Sequence, residues 1–311
     1  MRPRIFLPLH VTNFYLCSMP SVRPPDSSGF TTTTTVPLYW ARYGAPSTPS
    51  LLVLHGGPGA DYEYLLPQML ELADSYQLVF YDQRGGGRSR TDDRTPITWR
   101  THVEDLAALV DEQGINPLSI VGYSWGALLA MLFAIEAARD ARLPGPGRLV
   151  LIDPAPVTRS YRIAFESEFA RRQSAADVVA LRDELAASGL RERDPDAYRH
   201  RTFELSVAGY FAVPSAAKDL TPFRVVGRVQ QSVWDSLGDF DLLQPGALDS
   251  VSVPALVLHG SADPIPLASS EAAAAALRAK LIVIPGAGHV PYVEQPDQLF
   301  AAIREFLRTT E

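Results

Sequence analysis

Ser124, Asp263 and His289 are the residues whose types and chain order allow nucleophilic catalysis. A serine hydroxyl is a poor nucleophile at neutral pH and needs a base, a task that suits imidazole. The imidazole needs a carboxylate to fix its tautomer and to stabilise the cation it becomes. Ser124 sits in Gly122-Tyr123-Ser124-Trp125-Gly126, a Gly-x-Ser-x-Gly pattern that lifts a serine on a sharp strand-to-helix turn. A side chain at Gly122 or Gly126 would crowd strand against helix. Such a pattern arises by chance in roughly one chain of this length in ten, so its flanks must support it. They do: Leu118-Ser119-Ile120-Val121 reads as a buried strand, and Ala127-Leu128-Leu129 opens an apolar helix.

Asp263 closes the run His259-Gly260-Ser261-Ala262-Asp263 behind another apolar strand, and it could equally cap the helix that begins near 264–267. Asp153, one strand earlier, is the reserve acid. His289 ends Gly286-Ala287-Gly288-His289, a loop in which a histidine could also serve only the backbone. His55 and His259 directly follow buried strands and are expected to brace loops, while His10, His102 and His200 lie away from strand ends. An acyl-transfer site also needs two N–H donors for the oxygen that becomes negative, each worth about 2.7–4 kcal/mol in the transition state. Trp125, at a helix start, offers one with the helix dipole behind it. Gly57, in His55-Gly56-Gly57-Pro58-Gly59, offers the other; Pro58 has no N–H and shapes the turn.

The elements that must position these residues alternate along the chain. Apolar strands are expected at 51–54, 78–81, 118–121, 149–152, 255–258 and 281–284, with 51–54 of the kind buried on both faces of a parallel sheet. Helices are expected at 61–73, from Thr98 to Gly114, after Ser124, at 267–279 and near 296–307. The Thr-, Tyr- and Trp-rich stretch 30–43 reads as one bent strand or a hairpin at the sheet edge, threonine run included. From 157 to 250 the strands cease and Phe165/Phe169 and Val178/Leu181/Leu185 recur at helical spacing. The fold class is therefore α/β, a mostly parallel sheet with helices on both faces and a helical cap inserted after the sixth strand. Residues 30–156 and 251–311 form the core, 157–250 the cap, and 1–29 a poorly ordered leader and linker.

Composition narrows the function. A net charge of −7 over 311 residues argues against a nucleic-acid surface. One cysteine, Cys17, cannot form an internal disulfide and suits a reducing, cytoplasmic setting. No run approaches the ~18–20 apolar residues of a membrane span. Arg2 and Arg4 ahead of Ile5-Phe6-Leu7 loosely suggest a signal peptide, interrupted by Pro8 and His10; the alternatives are a leader, or Met19 as the natural start. No cofactor and no metal are expected, and the partner is a small molecule or short peptide; oligomeric state is not encoded in any pattern.

Taken with Asp82-Gln83-Arg84-Gly85-Gly86-Gly87-Arg88-Ser89, the His55–Gly59 and Gly122–Gly126 motifs resemble the proline iminopeptidase family of α/β-hydrolases. The chain order Ser, Asp, His is that of the α/β-hydrolases. The resemblance covers roughly 30–156 and 251–307. It implies Ser124 as nucleophile, His289 as base, Asp263 as acid, Gly57 and Trp125 as oxyanion hole, and a structural Asp82–Ser89 loop braced by Asp82 and Arg84. Two departures stand out: Tyr123 replaces a usual glycine, and the Trp-Glu pair of the family's cap is absent. Phe203-Glu204 is the nearest equivalent, with Glu166 and Glu168 as further carboxylates, so Tyr123 and Glu204 are the candidate substrate-binding residues. The resemblance implies a serine hydrolase releasing an N-terminal proline or small apolar residue. The alternatives are an esterase, lactonase or amidase on a small metabolite, and a non-catalytic ligand-binding protein of this fold. Epoxide hydrolases and haloalkane dehalogenases attack with an aspartate where this chain has Ser124.

Overall fold

The computed structural model describes residues 22–92 and 95–308, so the leader, Cys17 and Met19 lie outside the described residues. Strands β1 (Ser27–Phe30), β2 (Tyr39–Tyr43), β3 (Ser50–Leu54) and β4 (Gln77–Tyr81) come first. Helix α1 (Trp99–Gln113), strand β5 (Ser119–Tyr123), helix α2 (Trp125–Arg139) and strand β6 (Arg148–Ile152) follow. Helices α3 (Arg159–Gln173), α4 (Ala176–Ala187), α5 (Leu190–Arg193), α6 (Pro195–Val207) and α7 (Gly227–Leu237) fill the stretch before β7 (Ala255–Gly260). Helix α8 (Leu267–Leu277), strand β8 (Lys280–Ile284), α9 (Pro291–Glu294) and α10 (Pro296–Arg308) complete the chain.

The eight strands form one sheet in the order β1-β2-β4-β3-β5-β6-β7-β8. Only β1–β2 and β2–β4 are antiparallel. Alternation along β3 divides the core: Leu52 and Leu54 face the α1 and α2 side, while Leu51 and Val53 face α10. Helix α2 is buried from Trp125 through Ile135, because β5 and α1 both pack on it. A helix apolar on all sides is what such a position demands. The parallel strands thus end together on one side, where the loops after β3, β5, β6 and β7 meet.

Three expectations change. Residues 27–29, read as linker, belong to β1, which pairs with β2 as the hairpin's first strand. The threonine run is the connection between the two strands, not a strand itself: the Thr32 and Thr33 N–H groups donate to the Glu112 carboxylate at 2.8–2.9 Å, which takes them from any ladder. The helix expected at 61–73 is two 3-10 segments, Glu63–Leu65 and Gln68–Asp74. Leu66 is extended (φ −95, ψ 151), as crowding by the following Pro67 favours. Helix α1 runs as expected, from a Thr98 capping box to a left-handed Gly114.

Candidate active site

Ser124 links β5 to α2 with φ 54 and ψ −118, a conformation that costs a non-glycine residue about 1–3 kcal/mol. The surroundings hold it there: its N–H donates to Ile152 O (2.9 Å), and its carbonyl accepts from Ala127 and Ala155 (both 3.0 Å). The flanking glycines permit the turn. A Cβ on Gly126 would lie 2.2 Å from the Leu54 carbonyl oxygen, and one on Gly122 would lie 2.6 Å from Ala127 Cα, both backbone atoms. Gly126→Ala is therefore expected to lower stability by about 1–3 kcal/mol, read as a drop in the urea midpoint, and to reduce activity as α2 shifts away from β3.

The loop after β8 brings His289 to this serine. His289 Nε2 stands 2.9 Å from Ser124 Oγ, and Nδ1 stands 2.8 Å from Asp263 Oδ2. Asp263 Oδ1 accepts the Ile265 N–H at 2.7 Å, which fixes the carboxylate plane. The three residues singled out from the sequence therefore form one hydrogen-bonded chain from hydroxyl to carboxylate. Burial holds His289 down to about 4, against the upward pull of the Asp153 and Glu294 charges. A base must be unprotonated to accept the serine proton, so lowering it extends the working range downward. The acid limb of kcat/KM is expected below the ordinary imidazole value of 6.5, measurable in a pH–rate profile.

Gly57 (φ +62) and Trp125 present their N–H groups beside Ser124, and neither N–H has a hydrogen-bond acceptor among the described residues. Free donors at the head of the serine's helix and on the loop after β3 are suited to a developing oxyanion. The loop carrying Gly57 is held by the Asp82–Ser89 loop. The Gln83 side chain donates to His55 O (2.8 Å) and accepts from Trp125 Nε1 (2.8 Å), tying both donor segments together. His55 donates from Nδ1 to Gly56 O (2.8 Å) and accepts at Nε2 from Gln83 N–H (3.1 Å). Asp82 takes Arg88, and Arg84 takes Asp105, so this loop is braced from both ends. His259 meets the Ser270 hydroxyl at 2.9 Å.

A cavity of about 270 Å³ opens over Ser124. Aromatic and aliphatic side chains of the helical stretch, among them Phe165, Tyr210, Phe223 and Trp234, supply part of its wall. Its charged lining, His289 apart, is Arg162 with Glu166, paired at 2.8 Å, the guanidinium also lying 4.2 Å over the Trp234 ring. Glu204, read as a substrate-binding carboxylate, does not line this cavity. It is buried on α6, ion-paired with Arg201 and 3.2 Å from His200 Nε2, the partners that i,i+3 and i,i+4 spacing makes. Glu168 is likewise taken by Arg171 and Arg172. Tyr123 does line the cavity, but its hydroxyl donates to His289 O at 2.8 Å, so it also holds the base loop.

Several residues here escaped sequence reasoning. Tyr210 packs its ring 5.2 Å from the His289 ring and accepts the His289 N–H at 2.7 Å. Glu294 accepts from both Gly288 N–H and Ala212 N–H at 2.7 Å. Tyr64 accepts the Gly56 N–H at 2.6 Å. The Tyr210–His289 and Glu294–Ala212 bonds join distant parts of the sequence, and no local pattern marks them.

The chain belongs to the α/β-hydrolase family, which it matches over residues 51–303. It is similar to the proline iminopeptidase of Lactobacillus crispatus, 36% identical over 90 residues, or 28% of this chain. That match spans only 30% of the relative's length. It is also similar to epoxide hydrolase A of Mycobacterium tuberculosis, 26% identical over 336 residues, covering 94% of this chain and 98% of the relative. Among solved structures, the proline iminopeptidase of Mycobacterium smegmatis superposes with a TM-score of 0.65 at 21% identity, over 90% of this chain and 97% of that one. The resemblance to proline iminopeptidases read from the motifs is thus borne out by whole-fold and local matches. No helix among the described residues is long and apolar enough to cross a membrane.

Proposed function

We propose that the protein is a serine hydrolase that works through an acyl-enzyme and releases an N-terminal proline or small apolar residue from short peptides or amides. The observation that carries this reading is the Ser124–His289–Asp263 chain, with contacts of 2.9 and 2.8 Å, beneath a mostly apolar cavity. Ser124 Oγ attacks the carbonyl carbon as its proton passes to His289 Nε2, and the carbonyl oxygen takes its charge to the Gly57 and Trp125 N–H groups. His289 returns the proton to the leaving nitrogen as the carbon–nitrogen bond breaks. Water, deprotonated by the same imidazole, then attacks the acyl carbon and frees the serine. Asp263 keeps the imidazole's Nδ1 proton facing it and balances the transient cation. The lone cysteine supports a cytoplasmic setting for this chemistry.

A second reading, an esterase, lactonase or amidase on a small metabolite, is favoured by one feature: Glu166, the cavity's lining carboxylate, is engaged by Arg162. A substrate's free amine must compete with a guanidinium for it. Proline p-nitroanilide, its N-acylated form and short p-nitrophenyl esters separate the two. Turnover of the anilide that disappears on acylation supports the aminopeptidase reading; turnover of esters alone removes it.

A further inference from the structure

Asp153, at the end of β6, is fully buried and has φ 40, one of three non-glycine residues with positive φ among those described. Its Oδ1 accepts the Gly260 N–H at 2.7 Å. Its Oδ2 has no N–H or hydroxyl donor within reach, yet it is sealed from solvent. What lies beside it is another carboxyl: one side-chain ligand atom from each of Asp153, His259 and Asp263 falls within 4.8 Å of the other two. Two carboxylates this close in a dry interior resist ionising together, and an oxygen–oxygen hydrogen bond between them would require a proton. We propose that Asp153 is a neutral carboxylic acid that donates its Oδ2 proton to the Asp263 carboxylate, and so acts as a positioning residue for the catalytic acid. The proposal rests on the assignment of Ser124, His289 and Asp263 to catalysis.

The donor inventory decides which partner holds the proton. Burial pushes Asp263 up to about 7, but the Ile265 N–H it accepts and the Arg172 charge from α3 pull the other way, and it faces His289 Nδ1. Asp153 has one N–H, and burial and the Asp263 charge push it well above the ordinary range. The other titratable groups around the pair are His259 and His289, both lowered by burial, Glu294, and the buried phenols of Tyr123, Tyr210 and Tyr292. None of them is hydrogen-bonded to Asp153 Oδ2, which has no partner among the described residues. The neutral acid completes the second coordination of Asp263: one oxygen held by Ile265, the other shared with His289, and the whole group kept ionised by an added donor.

Three variants and one spectrum test this. Asp153→Ala removes the donor, so Asp263 protonates more readily; kcat is expected to fall about 10–100-fold, and the acid limb to move to higher pH. Asp153→Asn keeps an acceptor for Gly260 and an N–H for Asp263, and is expected to recover most of that loss with the limb at its wild-type position. An ionised Asp153 gives the opposite sign: the amide would remove a repelling charge, and the limb would move to lower pH. The infrared spectrum of the intact protein at neutral pH should contain a protonated-carboxyl band that Asp153→Asn abolishes. Absence of that band, or its loss in Asp263→Asn alone, overturns the proposal without any appeal to folding or turnover. Loss of activity on chelator treatment would overturn it too, since a cation would then bridge the pair. Fluorophosphonate labelling of Ser124 is read on the same samples. If labelling fails, the catalytic assignment is at fault; if labelling holds and the band is missing, only the neutral acid is.

Discussion

Ser124→Ala is expected to abolish labelling by a fluorophosphonate and to lower kcat by about 10³–10⁶-fold, leaving the fold intact. The hydroxyl contributes little to packing, because the strained turn is held by its backbone bonds to Ile152, Ala127 and Ala155. Alanine accepts the same bonds, so circular dichroism and the urea midpoint should stay within about 1 kcal/mol of wild type. What alanine removes is the hydroxyl that meets His289 Nε2 at 2.9 Å. His289→Ala should match this loss, since nucleophile and base act as one unit and their effects do not add. An unchanged rate in either variant would sink the assignment.

Asp263→Asn is expected to lower kcat by about 10⁴-fold with little change in stability. The reason lies in the loop. The Ile265 N–H demands an acceptor from the side chain at 263, so the introduced amide must keep its oxygen there. Its NH₂ is then left facing His289 Nδ1, which can only accept from it. The imidazole proton moves to Nε2, where the base needs a lone pair for Ser124. Asp153→Asn should do far less; a larger loss there would transfer the role of acid to Asp153. Stopped-flow rates at saturating substrate for both variants decide the matter.

Much of this site was legible in the sequence because it is written locally. Gly122 to Gly126, the His55 loop and the loops before Asp263 and His289 each follow an apolar strand, and parallel strands gather their C-terminal ends. What remained hidden depends on contacts that no short window contains. Glu204 has the composition of a substrate carboxylate, but helical spacing hands it to His200 and Arg201. Tyr123 looks like a substituted glycine, and only the folded chain joins its hydroxyl to residue 289. The threonine run has strand propensity that the Glu112 carboxylate, some 80 residues away, overrides. Gln83 carries no sequence signal and joins the His55 loop to the Trp125 side chain in space.

The attachment of the base to the covering helices has a mechanical result. The Tyr210 carbonyl holds His289, and Glu294 clasps Gly288 and Ala212 together, so roof and base share their fastenings. A roof that swung away to admit a bulky molecule would carry the imidazole off the serine. If His289 is the base, a substrate that forces these helices away from the sheet is therefore expected to turn over slowly, because the same movement loosens the imidazole.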